Sequence, residues 1–256
     1  MPMSRRKGST MKKAIGVLIG AALVVAIWGW VPFGNTINPD DALAPGYDAL
    51  ETGVERLADG TYHVSALTRM PDVKAEMVSW WVTDFLQTSE HYSWWHPNAH
   101  VWMNWENKTP GEIVGASHLV HEYIGGEMQK LRIQFVPPEQ VLGPLPELVE
   151  GTFVLCARAG LLDEPIYVAK MCHVVRDTPW GAEMRSNFWM GHVARREGNE
   201  AVTSIEGILG NTALLRYLLL DEQAATALMT HAIEEMGYLS ELVPALYPRG
   251  TAAASD

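Results

Sequence analysis

The sequence predicts an α+β fold of the helix-grip kind, a curved antiparallel sheet closed on a long C-terminal helix with a cavity between them. Three observations carry this expectation. Strand-like segments fill the middle of the chain, Gly125-Gly126 and the stretch Asp177 to Gly181 mark turns between them, and the chain returns to helical periodicity after Asn211. With 256 residues and 48% hydrophobic composition, one domain can bury a full core and still enclose a ligand-sized space.

Residues 1–13 form a basic flank carrying Arg5, Arg6, Lys7, Lys12 and Lys13 with no acid. The uncharged run 14–33 follows, 20 residues from Ala14 to Phe33, which as a helix spans ~30 Å, the thickness of a bilayer core. A transmembrane anchor is expected, with the basic flank on the cytoplasmic side and the domain on the extracytoplasmic side. A cleaved signal segment is the rival reading, disfavoured because Ala42-Leu43-Ala44 is followed by Pro45. The whole-chain charge of -11 leaves 14 basic against 30 acidic side chains beyond the flank, a balance of -16. Such a body does not seek nucleic acid.

Residues 34–46, rich in Pro, Asn and Asp, read as a linker, so the folded domain is expected over 47–250, with 251–256 as a tail. A short helix is expected around Asp48 to Leu57 and a strand over Thr61 to Thr68. Pro71 is placed at the start of a helix running through Gln87, with Val73, Met77, Trp80, Trp81 and Phe85 as its apolar face. Strands are expected over Gly115–Ile124, Met128–Val136, Thr152–Leu161, Ile166–Arg176 and Ala182–Ala194, with 137–150, containing four prolines, as a loop. A short apolar helix, Asn211–Leu220, precedes a long one over Asp221–Tyr247 that Pro248 and Gly250 close.

Candidate functional residues fall into clusters. His91 to Trp105 packs three histidines, four tryptophans and a tyrosine into fifteen positions. Aromatic rings wall an apolar ligand, and imidazoles ligate metals or carry protons. On the long helix Ala224, Leu228, His231, Glu235, Tyr238 and Leu242 share one face. His231 and Glu235 interrupt that apolar stripe, either as a simple hydrogen-bonded pair or as a platform for a divalent cation. His118 and Glu122 share a strand face while His121 points the other way. His173 sits on the face that carries Tyr167, Ala169, Met171 and Val175, either as a satisfied core histidine or as a proton carrier. Arg185 and Asn187 share a face of the next strand, where they clamp a polar substituent or pair with acids. Cys156 and Cys172 lie in strands at no metal-type spacing, either bridged in an oxidising compartment or packed as small hydrophobes.

Four ordered motifs give the chain its resemblance to a known family: Tyr92 to His100 (YSWWHPNAH), Gly115 to Gly126 (GASHLVHEYIGG), His173 to Trp189 (HVVRDTPWGAEMRSNFW) and His231 to Glu235 (HAIEE). Through them it resembles the 2,4-diacetylphloroglucinol hydrolases and their relatives. The resemblance implies a Bet v 1-like helix-grip fold and a zinc-dependent hydrolase that removes an acyl group from a phenolic or β-diketone-like small molecule, with one Zn2+ per chain. It implies His100, Glu122, His231 and Glu235 as metal ligands, with Glu127 the alternative to Glu122. Tyr92 and His173 are then the catalytic pair, and Trp95, Phe188, Trp189 and Arg185 the substrate-binding residues. Phe188 or Trp189 stands where the family pattern leads one to expect another phenolic hydroxyl, and the membrane segment is a second departure. The implied chemistry has zinc and Tyr92 polarise an oxygen, water attack the acyl carbon and His173 protonate the ring carbon. The alternative is a non-catalytic protein that binds hydrophobic ligands in the same fold.

Overall fold

The computed structural model describes positions 17, 20, 29–31, 37–47 and 49–253. The anchor expected over 14–33 lies almost wholly outside the described residues, and among the described residues no helix is long and apolar enough to cross a membrane. The described chain is α+β. Its elements are α1 (Asp40–Leu43), β1 (Gly53–Arg56), β2 (Tyr62–Pro71), α2 (Ala75–Trp80), a π-helical turn (Trp81–Phe85), α3 (Ser89–Trp95), β3 (His100–Glu106), β4 (Ser117–Ile124) and β5 (Glu127–Val136). Then come α4 (Glu139–Leu142), β6 (Thr152–Leu161), β7 (Ile166–Thr178), β8 (Gly181–Glu197), β9 (Glu200–Val202), α5 (Ile205–Gly210), α6 (Ala213–Leu219) and α7 (Glu222–Ala253).

All strands join one antiparallel sheet in the order β1-β2-β8-β7-β6-β5-β4-β3, with β9 paired to β8. Tyr62, Val64, Met184, Phe188, Met171 and Val120 face the main core, where Ala225, Ala232, Met236, Leu239 and Val243 of α7 meet them. The alternate residues of the same strands face outward. Trp189, Cys172, Val174, Cys156 and Val136 form a second buried cluster there with Ile37, Ala42 and Leu142. Both faces of the central strands are therefore covered, which explains the long buried run in β8.

Several elements depart from the sequence reading. The stretch expected to be a linker is part of the domain. Ala42 of α1 is buried, and Arg185 and Arg176 both donate to the carbonyls of Ala44 and Gly46. The helix expected near Asp48 to Leu57 is instead edge strand β1, paired with β2 through Gly53↔Ser65 to Arg56↔Tyr62; sheet pairing overrides helical preference in so short a segment. Pro71 ends β2 rather than opening a helix, and α2 begins at Ala75, whose N–H donates to the Asp177 carboxylate (2.8 Å). That carboxylate caps the helix from a distant strand. The apolar face of this helix changes period at the π turn, closed by the bond from Leu86 N–H to the Trp81 carbonyl (2.9 Å). Within 137–150 a single turn, α4, packs Val141 and Leu142 on the sheet, and α5 precedes the apolar α6. Helix α7 continues past Pro248 to Ala253, with Tyr247 docked edge-on against Trp80 (5.3 Å).

Cys156 and Cys172 are directly opposed on β6 and β7 and form a disulfide. A register shift between Tyr167 and Ala169 turns Tyr167 away from the face of Ala169 and Met171. Its hydroxyl donates to Gln134 on the outer side.

Candidate active site

The cavity between sheet and helix has a volume of ≈ 480 Å³. Leu86, Trp95, Trp105, Phe135, Leu155, Met171, Phe188 and Leu228 supply apolar walls, and Tyr92, His118, Glu122, His173, His231 and Glu235 supply its polar groups. Such a site suits a flat, largely apolar ligand with a few polar substituents.

The aromatic segment is positioned by two local devices. Thr88 caps α3 by accepting the N–H of His91 (3.2 Å), which turns Tyr92 and Trp95 inward, one helical turn apart. After the bend at Pro97, His100 opens β3 opposite Glu122 of β4, and a bulge between His100 and Trp102 resets the strand phase. Strict alternation would have set His100, Trp102 and Asn104 on one face. The bulge instead puts His100, Met103 and Trp105 inside and leaves Trp102 packed at a tilt against His121 outside (4.6 Å between ring centroids).

Four donors converge. His100 Nε2 lies 3.6 Å from Glu122 Oε2 and 3.5 Å from Glu235 Oε1. His231 Nε2 lies 3.8 Å from Glu122 Oε2 and 4.0 Å from Glu235 Oε2. The donor atoms of His100, His231 and Glu235 all fall within 4.8 Å of one another. Donors placed ~2.1 Å from a tetrahedral ion lie roughly 3.4 Å apart, close to this spacing.

Electrostatics also fit a cation. Burial and His231 together push His100 down to about 2, and burial pushes His231 down to about 4. The imidazoles are neutral at pH 7, so their contacts with the carboxylates are not ion pairs, although the atoms are within ion-pair range. Burial raises Glu122 to about 6, and burial together with Glu122 raises Glu235 well above its ordinary value. His100 Nδ1 faces the Tyr92 carbonyl (3.0 Å). A carbonyl only accepts, so Nδ1 carries the proton and Nε2 presents its lone pair to the cluster. That buried Nε2 has no hydrogen-bond partner. An unsatisfied lone pair beside two carboxylates that resist ionisation is what a divalent cation would relieve.

Tyr92 stacks on His100 (3.7 Å between ring centroids) and donates its hydroxyl to Glu122 Oε2. Burial and the two carboxylates hold its phenol well above the usual range, so it remains a donor. Trp95 donates Nε1–H to the Glu235 carbonyl (3.1 Å), tying α3 to α7. His173 Nδ1 is bonded to Ser186 Oγ (2.8 Å) on the paired strand, and the Phe188 ring meets the imidazole edge-on (5.7 Å). Burial lowers His173 to about 4, leaving it neutral at pH 7.

Two residues expected to touch substrate lie elsewhere. Trp189 and Arg185 are on the outward face of β8, opposite in phase to Phe188. Trp189 is buried against Cys172 and Val174 and stacks on His63 (5.4 Å). Arg185 makes a two-pronged pair with Glu51 (2.9 and 2.5 Å) and fastens the N-terminal stretch. Asn187 bonds His63 and Ser65. Glu127 sits exposed past the hairpin turn at the cavity rim, whereas Glu122 is buried beside His100.

His118 lines the cavity, stacked on Trp105 (4.4 Å) with an unpartnered Nε2. Its phase with Glu122 was legible, but no motif assigned it a part. His96 packs on His231 (5.1 Å), with Nε2 3.4 Å from Glu234, so it braces the imidazole of the helix.

A family profile described as "DAPG hydrolase PhiG domain" matches residues 34–248. The chain is 28% identical over 237 residues to a 2,4-diacetylphloroglucinol hydrolase of a Pseudomonas species, covering 83% of this chain and 76% of the relative. A 2,4-diacetylphloroglucinol hydrolase of Pseudomonas protegens is also 28% identical, with 73% of its length covered. Phloretin hydrolase of Eubacterium ramulus is 26% identical over 203 residues, covering 74% of this chain and 69% of that one. Among solved structures, protein Ms6760 from Mycobacterium smegmatis is similar at a TM-score of 0.42 and 12% identity, covering 76% of this chain and 98% of that one. Ara h 8.0201 is similar at 0.39 and 9%, covering 72% and 97%.

Proposed function

Because the chain belongs to the DAPG hydrolase PhiG domain family and is thereby a hydrolase of carbon–carbon bonds, we propose that it removes an acyl group from a phenolic ring, with a zinc ion in the cluster of His100, Glu122, His231 and Glu235. The observation that carries this reading is the convergence of those four donors and Tyr92 in an aromatic-walled cavity. The relatives named above, hydrolases of 2,4-diacetylphloroglucinol and of phloretin, support a small phenolic substrate.

The two imidazoles and two carboxylates fit a borderline-soft divalent ion, and the charge of the carboxylates matches the ion's own. When bound, the ion supplies Lewis-acid polarisation of an oxygen and a lowered pKa for water, toward ~7. Trp95, Trp105 and Phe188 hold the ring and exclude bulk water. Tyr92 orients Glu122 with its single O–H, and that one donor turns from Glu122 to a substrate oxygen when substrate enters. Neutral His173 takes a proton from the attacking water and delivers it to the ring carbon. The hydroxyl joins the acyl carbon as the carbon–carbon bond breaks, so one water becomes a carboxylic acid and a C–H bond. Phe188 in the wall has no hydroxyl, and the substrate is held there by shape alone.

Zinc analysis of the purified protein and of His231→Ala, combined with an acylphenol hydrolysis screen, tests this reading. One zinc per chain and turnover, both lost in the variant, are expected. Full metal content in His231→Ala, or ligand binding with no turnover of any acylphenol, overturns it. We also infer that residues 1–33 anchor the domain on the extracytoplasmic side. The disulfide between Cys156 and Cys172 supports an oxidising compartment. Recovery of the protein in the soluble cytoplasmic fraction with both thiols free would contradict it.

A further inference from the structure

On the outer face of the sheet lies a second cavity, ≈ 340 Å³, whose lining includes Gln140, Arg158, Tyr167, Lys170, His192 and Arg216. No acidic residue is among its described lining, although beyond the basic flank acids outnumber bases two to one. One irregularity in the β7–β8 pairing builds it. The shift at Tyr167 turns that ring outward, and β8 spends Met190 to Ala194 against only Ala169 to Tyr167 of β7. Gly191 makes this bulge with φ +98, and a Cβ there would meet Leu220 at 2.7 Å. The bulge brings His192 into the outer cavity.

The cationic groups in this space are unequally satisfied. Arg216 is committed, donating to Asp59 Oδ2 (2.6 Å), the Gly191 carbonyl (2.9 Å) and Asn211 Oδ1 (3.0 Å). Arg158 gives one N–H to Gln140 (2.6 Å) and lies over the Tyr167 ring, with other donors to spare. The Lys170 side chain has no hydrogen bond or ion pair among the described residues. His192 Nε2 is buried without a partner. Holding like charges together in a desolvated space costs free energy unless an anion joins them. Consistent with that, burial and then Arg158 lower Lys170, and burial, Lys170 and Arg216 lower His192 to about 3.

We propose that this cavity binds an oxyanion, a small organic phosphate, held by Lys170 Nζ and the free N–H groups of Arg158 with His192 Nε2 as the third contact. The volume exceeds that of a bare phosphate, and Tyr167 and Val193 in the lining give an attached organic group something to pack on. The site is separate from the hydrolytic cavity and does not depend on the reading of that cavity.

The test is calorimetric titration of the purified full-length protein with inorganic phosphate at constant ionic strength. Saturable one-to-one binding is expected, weakened about tenfold or more by Lys170→Met and by Arg158→Met, the scale of one charge-assisted hydrogen bond. Lys130→Met, which removes an exposed lysine beside Asp163, leaves the affinity unchanged. Lys170→Met removes a charge without a partner, so Tm is kept or raised and weakened binding does not report unfolding. Titration with a short-chain phosphatidylglycerol below its micellar concentration separates the two sources of phosphate without engaging the anchor expected at residues 1–33. Lipid binding that phosphate competes away and Lys170→Met abolishes assigns the site to a lipid headgroup, and its absence beside phosphate binding assigns it to a free ligand. No saturable phosphate binding, or equal weakening in all three variants, overturns the proposal.

Discussion

Glu235→Gln isolates the charge of one ligand in the cation cluster without changing its shape. In the wild-type cluster a divalent ion would face two carboxylates, Glu122 and Glu235, within reach of the same His100 Nε2 at 3.6 and 3.5 Å. The variant leaves one elementary charge uncompensated beside groups whose side chains are at most 14% exposed. Removing one partner of a buried charge pair costs about 3–5 kcal/mol, equivalent to roughly 10²- to 4 × 10³-fold in zinc affinity. The fold is expected to survive, because the metal-free cavity already raises Glu235 toward its neutral form, which glutamine resembles. Glu234→Gln is the control. Its carboxylate is 56% exposed and faces His96, and a screened surface charge is worth no more than about fivefold. Zinc competition against a chromophoric chelator, with circular dichroism on each variant, measures both. A Glu235→Gln protein that is folded and binds zinc within fivefold of wild type would refute the charge-balance argument.

His173→Gln should lower kcat by roughly 10²- to 10⁴-fold, the range of a lost general acid–base group, with little change in KM; steady-state kinetics on the best acylphenol decides. Arg185→Met takes the two-pronged guanidinium from Glu51 and one of two arginine donors from each of the Ala44 and Gly46 carbonyls, so urea unfolding should show a loss of about 3 kcal/mol while KM stays constant; an altered KM with unaltered stability would restore a substrate role to Arg185. Reduction of the Cys156–Cys172 bridge, which closes a loop of 16 residues in sequence separation, should cost about 3 kcal/mol, read as a drop in Tm on adding a reductant.

The order of helices and strands was legible because most segments carry their own period. Thr152–Leu161 as a strand and the long amphipathic C-terminal helix needed no tertiary information beyond a face to bury. Where period failed, a distant partner or an irregularity was responsible. The start of α2 is set by Asp177, a residue more than a hundred positions away. The segment before Tyr47 looked like a linker because its anchors, Arg176 and Arg185, lie on strands far along the chain.

The candidate site shows the same division. Local spacing and the four motifs singled out His100, Glu122, His231, Glu235, Tyr92 and His173 from the sequence alone, since each stands out against an apolar or aromatic background. Their convergence was decided in three dimensions. The bulge after His100 selects which ring points inward, and the β3–β4 pairing sets Glu122 rather than Glu127 opposite it. Strand phase likewise separates neighbours in sequence, Phe188 into the cavity and Trp189 and Arg185 to the far side. Residue types and spacings determined which chemistry the chain can perform, because donor atoms and periodicity are local properties. Which of those residues meet around one point depends on strand register and bulges, and those depend on contacts between segments remote in sequence.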